Sequence, residues 1–149
     1  MTTIRLAEIA DIAAISEIEK GFYGADGYPS AFFYQALSQW PQWFLCAEHD
    51  RRIQGYLLAA PSNNCSELWL MSLLVASSAR GLGIGNQLVT SFQNHCREDR
   101  VVHQVHLSVA PDNISAQQLY FNHGFQITAT KYDYLGPGQD RLLLTWTCI

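Results

Sequence analysis

Glu67-Leu-Trp-Leu-Met-Ser-Leu-Leu-Val75 runs into Ala76-Ser-Ser-Ala-Arg80-Gly-Leu-Gly83-Ile-Gly85-Asn-Gln-Leu88, and this junction decides the fold. Past Glu67 the first part carries no charge and is rich in Leu, Trp and Val, which reads as a buried strand. The glycine spacing then gives way to a helical pattern. The result is a strand, a loop of anion size and a helix start. At such a start several backbone N–H groups lack an intrahelical acceptor and sit at the positive end of the helix dipole, so a phosphate can rest there. Glycine lets the anion approach the main chain with no Cβ in the way.

Upstream, Ile4 to Leu6 reads as a short strand. Asp11 can then cap a helix carrying Ile12, Ile15, Ile18 and Phe22. Gly21 to Pro29 breaks that helix with a glycine-rich aromatic loop, and Ser30 can cap a second one with Phe33, Leu37 and Trp40 on one face, stopped by Pro41. Trp43 to Glu48 and Ile53 to Ala60 should pair antiparallel across His49-Asp-Arg-Arg52, and Pro61 to Asn64 turns the chain into the central strand. Downstream, Ile84, Leu88, Phe92 and either His95 or Cys96 repeat at helical spacing, and Val101 to Val109 alternates as a strand. Ser115 to Gly124 reads as a short helix closed by glycine, before a last strand pair, Phe125 to Tyr132 and Leu142 to Thr147, around Gly136-Pro-Gly138.

A chain of 149 residues, 48% of them hydrophobic, suits a single domain over residues 1–149. The net charge is −4 and the Lys and Arg are scattered, so nucleic acid is not an expected partner. The N-terminus lacks the apolar core of a signal peptide and no run has membrane-spanning length; the expectation is a cytoplasmic protein with no membrane partner, monomeric or homodimeric. Cys46, Cys65, Cys96 and Cys148 are far apart without zinc spacing, which points to reduced, mostly core-filling thiols and no metal.

The glycine loop admits several ligands. A nucleoside-triphosphate loop needs a lysine after the last glycine, where Asn86 and Gln87 stand. A dinucleotide fold needs a third glycine where Leu88 stands, and opens the first βαβ unit rather than following three strands. A turn without a ligand is the remaining simple reading.

Two motifs narrow the choice. Arg80-Gly-Leu-Gly83-Ile-Gly85, with Leu73-Leu-Val75 upstream, resembles the pyrophosphate loop of the GNAT superfamily of acyl-CoA-dependent N-acetyltransferases, though Ser77 stands where the family usually has proline. A second block is similar too: Leu107-Ser-Val109, Asn113, Ala116, Leu119-Tyr120 and Gly124-Phe125. The resemblance implies an α/β (α+β) fold with a mixed, mostly antiparallel sheet of about six to seven strands flanked by about four helices.

It also implies acetyl-CoA as co-substrate, with pyrophosphate over Arg80, Gly81, Leu82, Gly83, Ile84, Gly85 and Asn86, and the pantetheine arm along Leu73, Leu74 and Val75. The Leu74 N–H would polarise the thioester carbonyl. Tyr120 would protonate the departing thiolate, and Asn113 would hold the cofactor arm or cap the short helix. An acceptor amine must first lose a proton; Glu67 is the first candidate base and His106 the second. Direct transfer without an acyl-enzyme is the simpler chemistry.

By the same analogy the acceptor would meet Tyr23, Asp26 and Tyr28 in the first loop and Tyr132 and Tyr134 in the last hairpin, which also carries Asp133 and Asp140. A small-molecule primary amine is the expected acceptor. A protein N-terminal α-amine is the alternative, since Lys131-Tyr-Asp-Tyr134 resembles the end of ribosomal-protein acetyltransferases, and a non-catalytic acyl-CoA-binding module is a third reading.

Overall fold

The computed structural model describes residues 1–148. Strands β1 (Thr2–Leu6), β2 (Phe44–His49), β3 (Arg52–Pro61), β4 (Glu67–Val75), β5 (Gln104–Val109), β6 (Gln126–Lys131) and β7 (Arg141–Thr147) are interleaved with helices α1 (Ile12–Tyr23), α2 (Ser30–Gln39), α3 (Ile84–Asp99) and α4 (Ile114–Asn122). The strands hydrogen-bond in the order β1-β2-β3-β4-β5-β7-β6, giving the mixed, seven-stranded sheet with four helices that the sequence implied. β4 and β5 run parallel because α3 is the crossover between them, whereas β1–β2, β2–β3, β5–β7 and β6–β7 are antiparallel. No helix among the described residues is long and apolar enough to cross a membrane.

Contacts gather the chain into two compact units: Met1–Ala59 with Ser72–Phe92, and Ala60–Met71 with the stretch from Gln93 onward. In the first, Ile12 and Ile15 of α1 and Phe33 of α2 bury completely with Phe44 of β2 and Tyr56 of β3, and Phe33 meets Tyr56 edge-on at 5.4 Å. Each such side chain contributes about 1.5–3 kcal/mol by leaving water. Gly55 of β3 lets α3 come close: a Cβ there would lie 3.0 Å from the Leu74 carbonyl oxygen and 3.2 Å from Ile84 Cγ2.

Two expected caps are corrected. Asp11 precedes α1 but gives it no side-chain hydrogen bond; Oδ2 instead accepts from the Glu8 N–H at 2.8 Å, and the Arg5 guanidinium grips both carboxylate oxygens at 2.7 and 2.9 Å. A bidentate charged fork outcompetes a neutral helix N–H for the same oxygens. Ser30 is the first residue of α2 rather than its cap, which is Pro29 in extended conformation.

In the second unit Val105, Leu107 and Val109 alternate into the core with Leu144 and Trp146 of β7, while Phe125 packs between Tyr120, which it meets edge-on, and Trp146, to which it is tilted. α4 closes on Gly124 at φ 88°, and the Phe125 N–H reaches back to the Tyr120 carbonyl at 3.1 Å. Cys46 and Cys96 are buried, with thiols pushed up to about 12 by burial, whereas Cys65 is exposed and departs from the core-filling expectation.

Candidate active site

The glycine loop has the geometry of an anion seat. A single turn of 3-10 helix over Ser77–Ala79 leads to Arg80 in extended conformation, and then Gly81 and Gly83 take φ 83° and 76°, a region that L side chains rarely enter. A Cβ on either would meet no atom within 4 Å, so backbone conformation and not crowding requires glycine there. The Gln87 N–H donates to the Gly83 carbonyl at 3.1 Å as the first turn of α3 closes. The N–H groups before Gln87 are among those that a helix leaves without an intrahelical acceptor, at the positive end of a sixteen-residue helix. Leu82 is half-exposed, and the Arg80 guanidinium lies over the Phe22 ring, 5.5 Å from its centroid.

Leu74 belongs to the core of the first unit, with its carbonyl against Gly55, and the Ala76 N–H donates to the Gln54 carbonyl at 2.7 Å. The described β4–β5 pairing begins at Glu67↔Gln104 and ends at Trp69↔His106, although β4 continues to Val75 and β5 to Val109.

The two base candidates, read from the sequence as alternatives, touch each other. His106 Nε2 lies 2.8 Å from Glu67 Oε1, and His106 Nδ1 lies 2.8 Å from Thr145 Oγ1. The Trp69 ring is 5.3 Å from the imidazole, and both side chains of the pair remain partly open, at 32% for Glu67 and 21% for His106. In the neutral imidazole, Nε2–H donates to the carboxylate and Nδ1 accepts from the threonine hydroxyl. Among the described residues Glu67 Oε2 has one long contact, from Asn64 Nδ2 at 3.4 Å, so the carboxylate keeps capacity to accept a further proton donor.

Tyr120 is nearly buried in the last turn of α4, 5.5 Å from Phe125. Asn113 caps α4, its Oδ1 accepting from the Ala116 N–H at 3.2 Å, which realises one of its two expected roles. In the first loop Tyr23 and Asp26 are exposed; Tyr28 stacks on Phe32 at 4.4 Å, and its phenol is raised above the usual range by burial and by Glu19. In the last hairpin Tyr132 is 77% exposed and Tyr134 somewhat less. Asp133 Oδ1 accepts from the Gly138 N–H at 2.7 Å and Asp140 Oδ1 from the Asp133 N–H at 2.8 Å, so those two acids hold the turn together.

Sequence reasoning missed a buried polar cluster of Glu19, Tyr56 and Ser72 in the first unit. A signal was present: Glu19 follows Ile12 and Ile15 at helical spacing, on the face that should be apolar.

Comparison with known proteins adds family and relatives. The model of the Acetyltransferase (GNAT) family matches residues 11–125, a span that takes in the glycine loop, Glu67, His106, Asn113 and Tyr120. An uncharacterized N-acetyltransferase of Methanocaldococcus jannaschii is 29% identical over 141 residues, covering 95% of this chain and 88% of that protein. An N-alpha-acetyltransferase of Sulfurisphaera tokodaii is 27% identical over 151 residues, covering 95% and 90%. The crystal structure of Ard1 from Thermoplasma volcanium superimposes with a TM-score of 0.89 at 24% identity, covering 99% of this chain and 98% of that one, a likeness of fold.

Proposed function

The chain belongs to the GNAT acetyltransferase family and is an acyltransferase, and from that premise we propose that it moves the acetyl group of acetyl-CoA to the α-amine of a peptide or protein N-terminus. The observation that carries acetyl-CoA is the loop at Gly81 and Gly83, a main-chain anion seat inside the family-matched span. For the acceptor, the support is a relative named for α-amine acetylation that aligns along nearly its whole length; the small primary amine favoured by the sequence has no comparable support.

In this reading the pyrophosphate sits over the N–H groups from Leu82 to Asn86, with Arg80 leaving Phe22 to add charge. The thioester lies along Leu73 to Val75, where the Leu74 N–H meets the developing oxyanion. The substrate ammonium first gives a proton to the Glu67–His106 pair. The free amine attacks the thioester carbonyl carbon, forming a C–N bond and a tetrahedral intermediate. Collapse breaks the C–S bond, and the Tyr120 phenol protonates the CoA sulfur. The second proton on nitrogen leaves by the Glu67–His106 route, and the Tyr120 phenolate regains a proton from solvent. Two protons lost from nitrogen and one returned to Tyr120 leave the amide neutral and one proton released overall.

The test is free-thiol release from acetyl-CoA with a panel of peptides of varied first residue, the same peptides with blocked α-amines, and small primary amines. Thiol release that requires a free peptide α-amine supports the proposal. Release with small amines alone, or binding of CoA without turnover, overturns the acceptor or the catalytic part respectively.

A further inference from the structure

Glu19 is a carboxylate where the phase of a helix asks for an apolar side chain. It shares the buried face of α1 with Ile12 and Ile15 and is 2% exposed. Both its oxygens are engaged: Oε1 accepts from the Tyr56 hydroxyl and Oε2 from the Tyr28 N–H at 2.9 Å. Tyr56 is fully buried, and its phenolic oxygen lies 2.7 Å from Ser72 Oγ on β4.

The proton inventory gives this chain a direction. A carboxylate can only accept, and a phenol has one proton, so the Tyr56 proton points at Glu19 and the Tyr56 oxygen accepts from Ser72. The Ser72 hydroxyl proton is thereby committed inward, and its oxygen keeps accepting capacity only. A buried carboxylate and phenol cost desolvation that an apolar pair of equal volume would avoid, so what the cluster adds over simple packing is direction. Gly27 lies against the same carboxylate, since a Cβ there would come 3.0 Å from Glu19 Cγ. Ser72 also directly precedes Leu73 to Val75, the segment assigned above to the thioester.

We propose that Ser72 Oγ receives an N–H of the acceptor amine, and that Glu19, acting through Tyr56, is the positioning residue that turns the Ser72 lone pairs toward it. This rests on the acetyl-transfer reading. Glu19→Gln is the discriminating variant because it keeps volume and the bond from the Tyr28 N–H while reversing the chain. The new amide donates to Tyr56, Tyr56 donates to Ser72, and the Ser72 hydroxyl then presents a proton where the amine needs a lone pair. Ser72→Ala removes the oxygen at a partly open site, and serves if the buried variant fails to fold.

Steady-state kinetics with the wild type are measured first, varying each substrate separately. For both variants the expected result is an acceptor KM raised about tenfold, with the acetyl-CoA KM held within about twofold, as loss of one hydrogen bond to an amine predicts. A double variant no worse than either single one completes the expected pattern, because both act through one oxygen. Wild-type turnover with an unmoved acceptor KM in Ser72→Ala overturns the proposal alone. Absence of wild-type turnover with every amine overturns the acetyl-transfer reading and this proposal with it.

Discussion

The imidazole of His106 lies between a carboxylate and a threonine hydroxyl, and that placement governs what either partner can do as a base. With Nε2–H given to Glu67 and Nδ1 accepting from Thr145, the neutral ring has no spare lone pair, so in the proposed mechanism the open oxygen of Glu67 would receive the proton first. On that proposal, proton uptake is a property of the pair. Replacing either residue, Glu67→Gln or His106→Ala, is expected to lower kcat by about 10²–10⁴-fold, and the double variant to match the worse single one. Multiplying losses in the double variant would mean that the two act separately. At Tyr120 the ring packs on Phe125, and the phenol is the acid of the proposed mechanism. Tyr120→Phe keeps the ring packing and removes only the hydroxyl, and kcat is expected to fall by about 10²-fold or more. An unchanged kcat across pH would assign the thiolate's proton to another donor.

At the scale of elements, the approach of α3 to β3 depends on Gly55. Adding a methyl there brings it 3.0 Å from the Leu74 carbonyl oxygen, which is main chain and cannot swing aside. Gly55→Ala is expected to cost about 1–3 kcal/mol by overpacking, read as a lowered denaturant midpoint, and to raise the acetyl-CoA KM by shifting the start of α3. The junction of β1 and α1 carries its own pH dependence. Arg5 holds the Asp11 carboxyl below the usual range, chiefly through their hydrogen bonds and against the opposing effect of burial. A depressed carboxylate contributes stability above its unfolded pKa and loses it as pH falls through the lower folded value. Asp11→Asn should then cost about 2 kcal/mol near neutral pH and almost nothing in strong acid, measured by denaturation at each pH. A cost independent of pH would make the contribution one of shape.

These elements also mark what a sequence can disclose. The glycine loop and α3 were readable because a left-handed backbone leaves its signature in glycine, and Asn113 was readable because capping is local. Asp11 was misread because the competing Arg5 fork is a contact made by the fold, invisible to spacing. By sequence Asp133 and Asp140 are carboxylates that, with the aromatics, suit an amine, whereas the main chain of the turn uses both. The Glu67–His106 contact needed the parallel register that sets Trp69 opposite His106, and no local pattern encodes register between segments joined by a crossover.

Over the whole molecule, a mixed sheet of about seven strands with four helices was legible because strand and helix patterns succeed one another as the two family-like motifs imply, whereas the place of β7 between β5 and β6 was not, since it is set by pairing between distant segments. The acceptor was not legible, because the side chains expected to meet it, such as Tyr28 and Tyr132, are exposed aromatics whose chemistry is generic. The direct test uses one peptide with a free α-amine and an internal lysine, incubated with acetyl-CoA and the protein, and tandem mass spectrometry to locate the acetyl group. The account expects a single acetyl on the N-terminal nitrogen, absent without the protein and strongly reduced with Tyr120→Phe. Acetylation of the lysine side chain alone, or an unmodified peptide while a small amine in the same tube is acetylated, would contradict it.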